Sequence, residues 1–270
     1  MHEVNHILVF DRVLVRRHQD RAAASFARHS VLFEEMATQI IDRLGDVKRE
    51  FKAALDLGSH KDFLSRHLIE RKIPFVVSGS LSEPMARQTT GLSVVADEEF
   101  LPFAPDSFDL IVSNLSMHWV NDLPGALLQL RKILRPDGLF MATVFGENTL
   151  CELRSCLLEA ELAVTGGISP RLSPTASLRD MSALLQRAGF TLPVTDQESV
   201  TLTYPDAFAL MYDLRGMGET NAHRHRQRSF TRPTILREAA KIYHARYGSA
   251  EGQIPATFDV LFLHGWAPMV

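Results

Sequence analysis

The chain has 270 residues, of which 46% are hydrophobic and 23% are charged, and its formal net charge is −3. These values are ordinary for a globular protein and argue against a disordered chain. The longest apolar run, LFMATVF at 139–145, is too short to cross a membrane, and a slightly acidic chain gives no electrostatic basis for binding nucleic acid. We therefore expect neither a membrane span nor a nucleic-acid partner.

The first part of the chain is predicted to be helical. Residues from about 10 to 44 carry helical periodicity, with an apolar stripe formed by Leu32, Met36, Ile40, Ile41 and Leu44. We expect an N-terminal helical region at 1–48, followed by a main domain at 49–270.

Strands and helices alternate from residue 51 onward. The pattern predicts strands at 51–57, 74–78, 92–96, 108–114 and 139–145, with helices between them at 61–71, 85–88 and 124–134. This alternation is typical of a parallel sheet covered by helices on both faces. We expect five parallel strands, with 51–57 in the centre.

The pattern becomes mainly helical after residue 146. It predicts helices at 149–162, 177–190, 206–214 and 233–247, and strands at 199–204 and 257–266. We expect the last strand to run antiparallel beside the parallel ones. Helical cap elements at about 146–190 and 205–247 are expected to close over the carboxyl ends of the strands, where ligands of such sheets bind.

Four segments of the sequence are characteristic of a known family. They are ALDLG at 54–58, the long block from VVADEEF to CELR at 94–154, LRGMGETNA at 214–222 and IPATFDVLFLHGWAP at 254–268. Together they resemble the methyltransferase-like family of the mitochondrial complex I assembly factor known as an arginine hydroxylase, with its proteobacterial relatives. A more distant similarity is to the malonyl-carrier-protein methyltransferases of biotin synthesis. The resemblance implies an α/β protein with the Rossmann-like fold of class I S-adenosylmethionine-dependent methyltransferases and a helical elaboration.

The resemblance also implies which residues would bind S-adenosylmethionine. Asp56 and Gly58 match the start of the glycine loop, Asp97 matches the position near the adenine, and Asn114 matches the position beside the methionine portion. The position of the ribose-binding acid holds Ser80. Asp97 as a cap of the following turn and Asn114 as a partner of strand-end backbone are the alternatives.

Three substitutions weaken this expected cofactor site. His60 and Asp62 stand where the family's loop has further glycines, and Ser80 replaces an acid. A lost charge-assisted hydrogen bond and a strained turn together cost about 3–5 kcal/mol, so we expect S-adenosylmethionine to bind weakly or not at all. The two-residue spacing of His60 and Asp62 also occurs in iron sites, but it is common and follows a strand of the wrong fold, so no metal is predicted.

A substrate pocket is predicted beside the cofactor site. Its expected residues are His118, Trp119, Phe145, Arg215, Glu219 and Asn221. They lie after the fourth strand, at the end of the fifth strand and in the cap, where this fold usually selects its substrate. Packing in the core is the alternative for His118 and Trp119, and no catalytic residue is predicted.

The two cysteines and the first residues of the chain are used to predict the cellular compartment. Cys151 and Cys156 are five residues apart in a predicted helix, so they face different directions, and their lack of pairing suits a reducing compartment. The family block begins almost at Met1, with no room for a mitochondrial leader. We expect a bacterial cytoplasmic protein.

The sequence supports one main hypothesis and two alternatives for function. The main hypothesis is an S-adenosylmethionine-dependent methyltransferase-like enzyme that modifies a protein side chain, and the resemblance implies an arginine of a respiratory complex I subunit. The first alternative is an assembly or binding factor with a degenerate cofactor site. The second is a carboxyl methyltransferase that acts on a small molecule or a carrier protein.

Overall fold

The structure is a computed structural model that describes residues 8–269, so residues 1–7 and 270 of the two predicted regions lie outside the described residues. The N-terminal part forms helix α1 (Arg12–Ala23), a short 3-10 turn (Phe26–Arg28) and helix α2 (Val31–Gly45). Asp11 caps α1 by accepting a hydrogen bond from the Leu14 amide. Helix α2 buries the whole predicted apolar stripe. The helical region predicted at 10–44 is therefore two helices with a bend between them.

Seven strands form one sheet. They are β1 (Ala53–Leu57), β2 (Phe75–Ser80), β3 (Leu92–Val95), β4 (Phe108–Asn114), β5 (Leu134–Phe145), β6 (Thr191–Tyr204) and β7 (Ile254–Trp266). Their order is β3-β2-β1-β4-β5-β7-β6. Strands β1 to β5 are parallel, and β7 runs antiparallel to both β5 and β6. The predictions of five parallel strands around a central first strand and of an antiparallel last strand are confirmed.

Helices cover both faces of the sheet. They are α3 (Phe63–Glu70), α4 (Glu83–Ala86), α5 (Leu123–Ile133), α6 (Cys151–Thr165), α7 (Leu178–Arg187), α8 (Ala207–Met217) and α9 (Pro233–Tyr247). Successive strand residues face opposite sides, and Ala54 and Leu55 accordingly belong to two different hydrophobic clusters. The cluster with Ala54 includes α2, α3, α6, α8 and α9, whereas the cluster with Leu55 includes α5 and α7.

Local sequence signals set several helix ends. Asp122 accepts a hydrogen bond from the Gly125 amide at the start of α5, and Ser177 accepts one from the Asp180 amide at the start of α7. Gly189, just after α7, has a φ of 81°, a left-handed conformation that glycine adopts without strain. These signals explain why the helix positions were predicted well from the sequence.

Two strands begin well before their predicted positions. Strand β5 begins at Leu134 rather than 139, because RPDG at 135–138 continues the strand as an irregularity in which Asp137 has a φ of 59°. Strand β6 begins at Thr191 rather than 199. It is an edge strand that pairs only with β7, so its exposed polar residues and a proline are compatible with a strand.

Two further properties concern the helices of the described chain. Cys151 is exposed and Cys156 is buried on α6, and both are free thiols. No helix within residues 8–269 is long and apolar enough to cross a lipid bilayer.

Candidate functional site

The five predicted cofactor residues lie near the carboxyl ends of four strands. Asp56 and Gly58 lie at the end of β1, Ser80 ends β2, Asp97 follows β3 and Asn114 ends β4. All of them except Asp97 are buried. Parallel strands bring these ends to one edge of the sheet, so the topology assembles the residues that the sequence predicted.

Arg12 of helix α1 occupies part of this edge. Its Nη2 donates to Asp97 Oδ1 at 2.6 Å and also pairs with Glu98. Only 14% of the Arg12 side chain and 2% of the Glu98 side chain are exposed. Asp97, the residue expected near the adenine, is therefore neutralised by a cation of the chain itself.

Ser116 fills the space next to Gly58. Gly58 has a φ of 72°, the left-handed conformation expected at the sharp turn after β1. A Cβ atom added to Gly58 would overlap the Ser116 side chain, and Ser116 Oγ donates to Glu98 Oε1 at 2.5 Å. The close approach that glycine permits is thus used by Ser116, a residue of the same chain.

His60 is packed against the N-terminal segment. Its ring lies 5.4 Å from the Phe26 ring and 4.7 Å from the Phe33 ring, measured between centroids. Burial lowers the pKa of His60 to about 4, which keeps it neutral at neutral pH. Asn114 donates to the Phe33 carbonyl oxygen at 2.8 Å, so a second candidate cofactor residue is also bound to this segment.

The loop after β1 differs from the prediction in one respect. The strained residue is Lys61, with a φ of 66°, whereas strain was expected at His60 and Asp62. His60 is instead part of the core, and Asp62 accepts a hydrogen bond from Thr90. In this loop His60 is therefore a core residue, and Lys61 takes the left-handed conformation.

These contacts lie at the edge of the sheet where the cofactor is predicted to bind. The two cavities described below, around Glu219, are lined by none of the predicted cofactor residues. Arg12, Phe33 and Ser116 thus lie in direct contact with Asp97, Asn114 and Gly58, three of the residues predicted to bind S-adenosylmethionine.

Asp56 is a buried carboxyl group with an unusual titration. Only 1% of the residue is exposed, and its Oδ2 has no hydrogen-bond partner. Burial raises the pKa of Asp56 from 3.8 to about 7. Between these two pH values the folded state holds a proton that the unfolded state has lost, so this group makes folding less stable as the pH rises through that window.

We therefore expect Asp56→Asn to become more stable relative to the wild type as the pH rises from about 4 to about 7. The amide cannot ionise, so the difference between the two unfolding free energies should grow across that window and then level off. Urea titrations at several pH values measure it, and Asp42→Asn on the exposed face of α2 is the matched control. Parallel stability curves for wild type and Asp56→Asn would contradict the assignment.

The predicted substrate residues surround two adjoining cavities rather than one pocket. The smaller cavity has a volume of about 50 Å³ and is lined by His118, Trp119 and Phe145, among others. The larger cavity has a volume of about 300 Å³ and is lined by Arg215, with apolar residues of α6, α8 and α9. Glu219 and Asn221 line both cavities, so the two cavities lie side by side.

Glu219 is a buried carboxylate at the boundary between the cavities. Its Oε2 lies 3.1 Å from His118 Nε2, and its Oε1 accepts a hydrogen bond from Trp119 Nε1 at 3.3 Å. The side chains of Glu219 and His118 are each only 7% exposed. A carboxylate only accepts hydrogen bonds, so His118 Nε2 carries the proton. His118, whose ring is 4.7 Å from that of Phe145, and Trp119 therefore position Glu219.

Sequence reasoning missed three residues of this region. Arg12 and Ser116 fill the cofactor edge, and Arg154 of α6 lines the smaller cavity. The acidic run Asp97-Glu98-Glu99 signals a need for a cation, but no local pattern identifies Arg12 as that cation. The described residues hold no group of three or more His, Cys, Asp or Glu side chains that could bind a metal ion.

Comparison with known proteins identifies the family. A family model described as a methyltransferase domain matches residues 27–193. The chain is 42% identical to the arginine-hydroxylase NDUFAF5 of Danio rerio, over 96% of this chain and 83% of that protein. It is 33% identical to the malonyl-[acyl-carrier protein] O-methyltransferase of Halorhodospira halophila, over 95% of this chain and 88% of that protein.

The fold is also that of solved methyltransferase structures. Phosphoethanolamine N-methyltransferase 2 of Haemonchus contortus, in complex with S-adenosyl-L-methionine, superimposes with a TM-score of 0.58 at 15% identity. The match covers 94% of this chain and 60% of that one. The Rossmann-like fold predicted from the sequence is therefore confirmed. The chain belongs to the methyltransferase-domain family, in the branch that holds the arginine-hydroxylase NDUFAF5 proteins.

Proposed function

We propose that this chain acts on an arginine side chain of a protein substrate and that the substrate is a subunit of respiratory complex I. Its relatives named arginine hydroxylases support the residue type, and the family resemblance to a complex I assembly factor supports the partner. The observation that carries the proposal is the buried Glu219 carboxylate at the boundary of the two cavities.

The larger cavity has apolar walls for the stem of an arginine side chain and one carboxylate, Glu219, although Arg171, Arg215 and Arg226 also line it. Arginine has an apolar stem and a planar cationic head. The cavity walls provide apolar contacts for the stem, from Leu153, Leu157, Leu172, Met211, Leu214 and Leu236. Glu219 provides the carboxylate for the head, and its orientation is fixed by His118 and Trp119.

Mass spectrometry of complex I subunits tests this function. We expect a strain that lacks the protein to lose a modification on one arginine, and we expect the wild-type gene, but not a Glu219→Gln gene, to restore it. A mass difference of one oxygen atom indicates hydroxylation, and a difference of one methylene group indicates methylation. Identical arginine masses in all complex I subunits of the two strains would contradict the proposal.

A second candidate function is that of an assembly or binding factor that does not use S-adenosylmethionine. The filled edge of the sheet favours it, because Arg12 and Ser116 take the positions beside Asp97 and Gly58. We propose that S-adenosylmethionine binds weakly or not at all. Calorimetric titration with S-adenosylmethionine and S-adenosylhomocysteine tests this, and tight micromolar binding by the wild-type protein would rule it out.

The carboxyl methyltransferase alternative has less support. The malonyl-[acyl-carrier protein] O-methyltransferase shares less identity with this chain than the arginine hydroxylase does, and its reaction requires the cofactor.

We also propose a location in the bacterial cytoplasm. The two free cysteines, Cys151 and Cys156, support a reducing compartment.

A further inference from the structure

The smaller cavity contains a cluster of polar atoms without partners. Twelve buried side-chain atoms of the described residues have no hydrogen-bond partner, and four of them belong to residues that line this one cavity. These four are His118 Nδ1, Arg154 Nε, Ser173 Oγ and Thr175 Oγ1. Nearly all buried polar atoms in folded proteins are paired. Such a cluster therefore indicates a site for a polar group that is not part of the chain.

The chemistry of these atoms favours a hydrogen-bond acceptor. The Nε–H of Arg154 donates, and the hydroxyls of Ser173 and Thr175 can both donate. His118 already uses its Nε2 proton for Glu219, so Nδ1 accepts while the ring is neutral. Donors thus outnumber acceptors among the four atoms. A ligand rich in acceptor oxygens would satisfy three of them at once.

The charged residues and the volume of the smaller cavity favour a carboxylate as its ligand. The side chain of Arg154 makes one hydrogen bond within residues 8–269, to the Thr149 carbonyl oxygen at 3.4 Å, so no carboxylate of the described chain neutralises it. Glu219 lines the same cavity, and its negative charge disfavours a dianion such as phosphate. A water molecule needs roughly 10–15 Å³ of such space, so a cavity of about 50 Å³ accommodates a group of a few atoms. A singly charged carboxylate can pair with Arg154, carries less negative charge near Glu219 than a dianion does, and fits the volume of the cavity.

We propose that the smaller cavity is a carboxylate subsite in which Arg154, Ser173 and Thr175 bind an acidic group of the substrate. This inference rests on the proposed function, because it places the substrate arginine in the larger cavity beside Glu219. The two cavities share Leu172, Leu214, Glu219 and Asn221, so one short segment of a protein can reach both. The substrate is then a segment that carries an arginine and, within a few residues, an aspartate or glutamate.

Fluorescence of Trp119 reports directly on this subsite. Trp119 lines the smaller cavity, and replacing the other tryptophan, Trp266, with phenylalanine isolates its signal. Sodium acetate and sodium malonate, added against sodium chloride of equal ionic strength, should give a saturable change. Arg154→Gln should raise the apparent Kd at least about tenfold, as expected for loss of a charge-assisted hydrogen bond. Ser173→Ala with Thr175→Val should weaken binding while leaving the helices intact.

The matched control is Arg187→Gln, which removes an exposed arginine of α7 and should leave the titration unchanged. The proposal is overturned if neither salt gives a saturable change, or if Arg154→Gln binds both salts as the wild type does. Melting temperatures of all variants show whether each one is folded.

Peptides distinguish the source of the carboxylate and separate this inference from the proposed function. A peptide with arginine and aspartate should bind at least about tenfold more tightly than its asparagine analogue, and Arg154→Gln should abolish the difference. If replacing the peptide's arginine with citrulline has no effect while aspartate still matters, the arginine function is wrong and the subsite stands. If acetate and malonate bind through Arg154 but the aspartate and asparagine peptides bind equally, the acidic neighbour is rejected and the ligand is a free or carrier-borne acid.

Discussion

Replacing Arg12 with alanine should lower the free energy of unfolding by about 3–5 kcal/mol, the usual cost of removing one partner from a buried ion pair. The variant leaves Glu98, whose side chain is 2% exposed, with Ser116 as its remaining hydrogen-bond partner and without a compensating cation. Asp97, with 29% of its side chain exposed, should contribute less. Denaturant titration measures the loss, and a change below about 1 kcal/mol would show that the pair is solvent-screened.

Arg17→Ala is the matched control for this prediction. Arg17 lies on the exposed face of α1, so its removal should change the stability by less than about 0.5 kcal/mol. The same two variants also test whether the N-terminal segment closes the cofactor edge. Calorimetry should show stronger binding of S-adenosylmethionine to Arg12→Ala than to Arg17→Ala, because only the former frees Asp97. Equal binding to both variants would show that Arg12 does not control access.

The sheet could be predicted from the sequence because its signals are local. Apolar runs such as 108–114 alternate with helices that begin at Asp122 or Ser177, and right-handed connections then leave few arrangements of the strands. The two strand starts that differ most from the prediction lie where this local signal is absent. Residues 135–138 have the composition of a helix stop, and the start of β6 is polar because it is an edge strand.

The sheet topology predicts where the candidate site residues lie, but it does not predict which side chains surround them. Asp56, Ser80 and Asn114 had to lie at one edge because their strands are parallel and adjacent. Arg12 and Asp97 are 85 residues apart in the chain, and no periodicity connects them. The burial of His60 between Phe26 and Phe33 is equally long-range. The sequence predicts a weakened cofactor loop, whereas only the structure shows which side chains contact the predicted cofactor residues.

The two halves of the carboxyl edge of the sheet differ in how tightly they are packed, and this difference indicates where a ligand binds. The half near β1 to β3 is packed by Arg12 beside Asp97 and by Ser116 beside Gly58, whereas His118 and Trp119, which follow β4, and Phe145 of β5 line the smaller cavity. Buried polar atoms without partners are destabilising, and four of them belong to residues that line the smaller cavity. Because these four atoms line an open cavity, we expect a ligand there.

Glu219→Gln should weaken the binding of an arginine-containing peptide by about 30-fold or more, since truncation of one partner of a buried charge pair usually costs about 2–5 kcal/mol. The amide has the same shape as the carboxylate and can still accept a hydrogen bond from Trp119, so the fold and the cavity should be retained. What it loses is the negative charge that a guanidinium requires in a site shielded from water.

The measurement is a calorimetric or fluorescence titration of wild type and variant with the same peptide, and with a peptide in which citrulline replaces arginine. Citrulline is neutral, so the wild type should bind it about as weakly as Glu219→Gln binds the arginine peptide, and combining both changes should add little further loss. Glu251→Gln, at an exposed position after α9, is the matched control and should bind as the wild type does. Equal affinity of wild type and Glu219→Gln for the arginine peptide would mean that the substrate cation does not lie at the boundary of the two cavities.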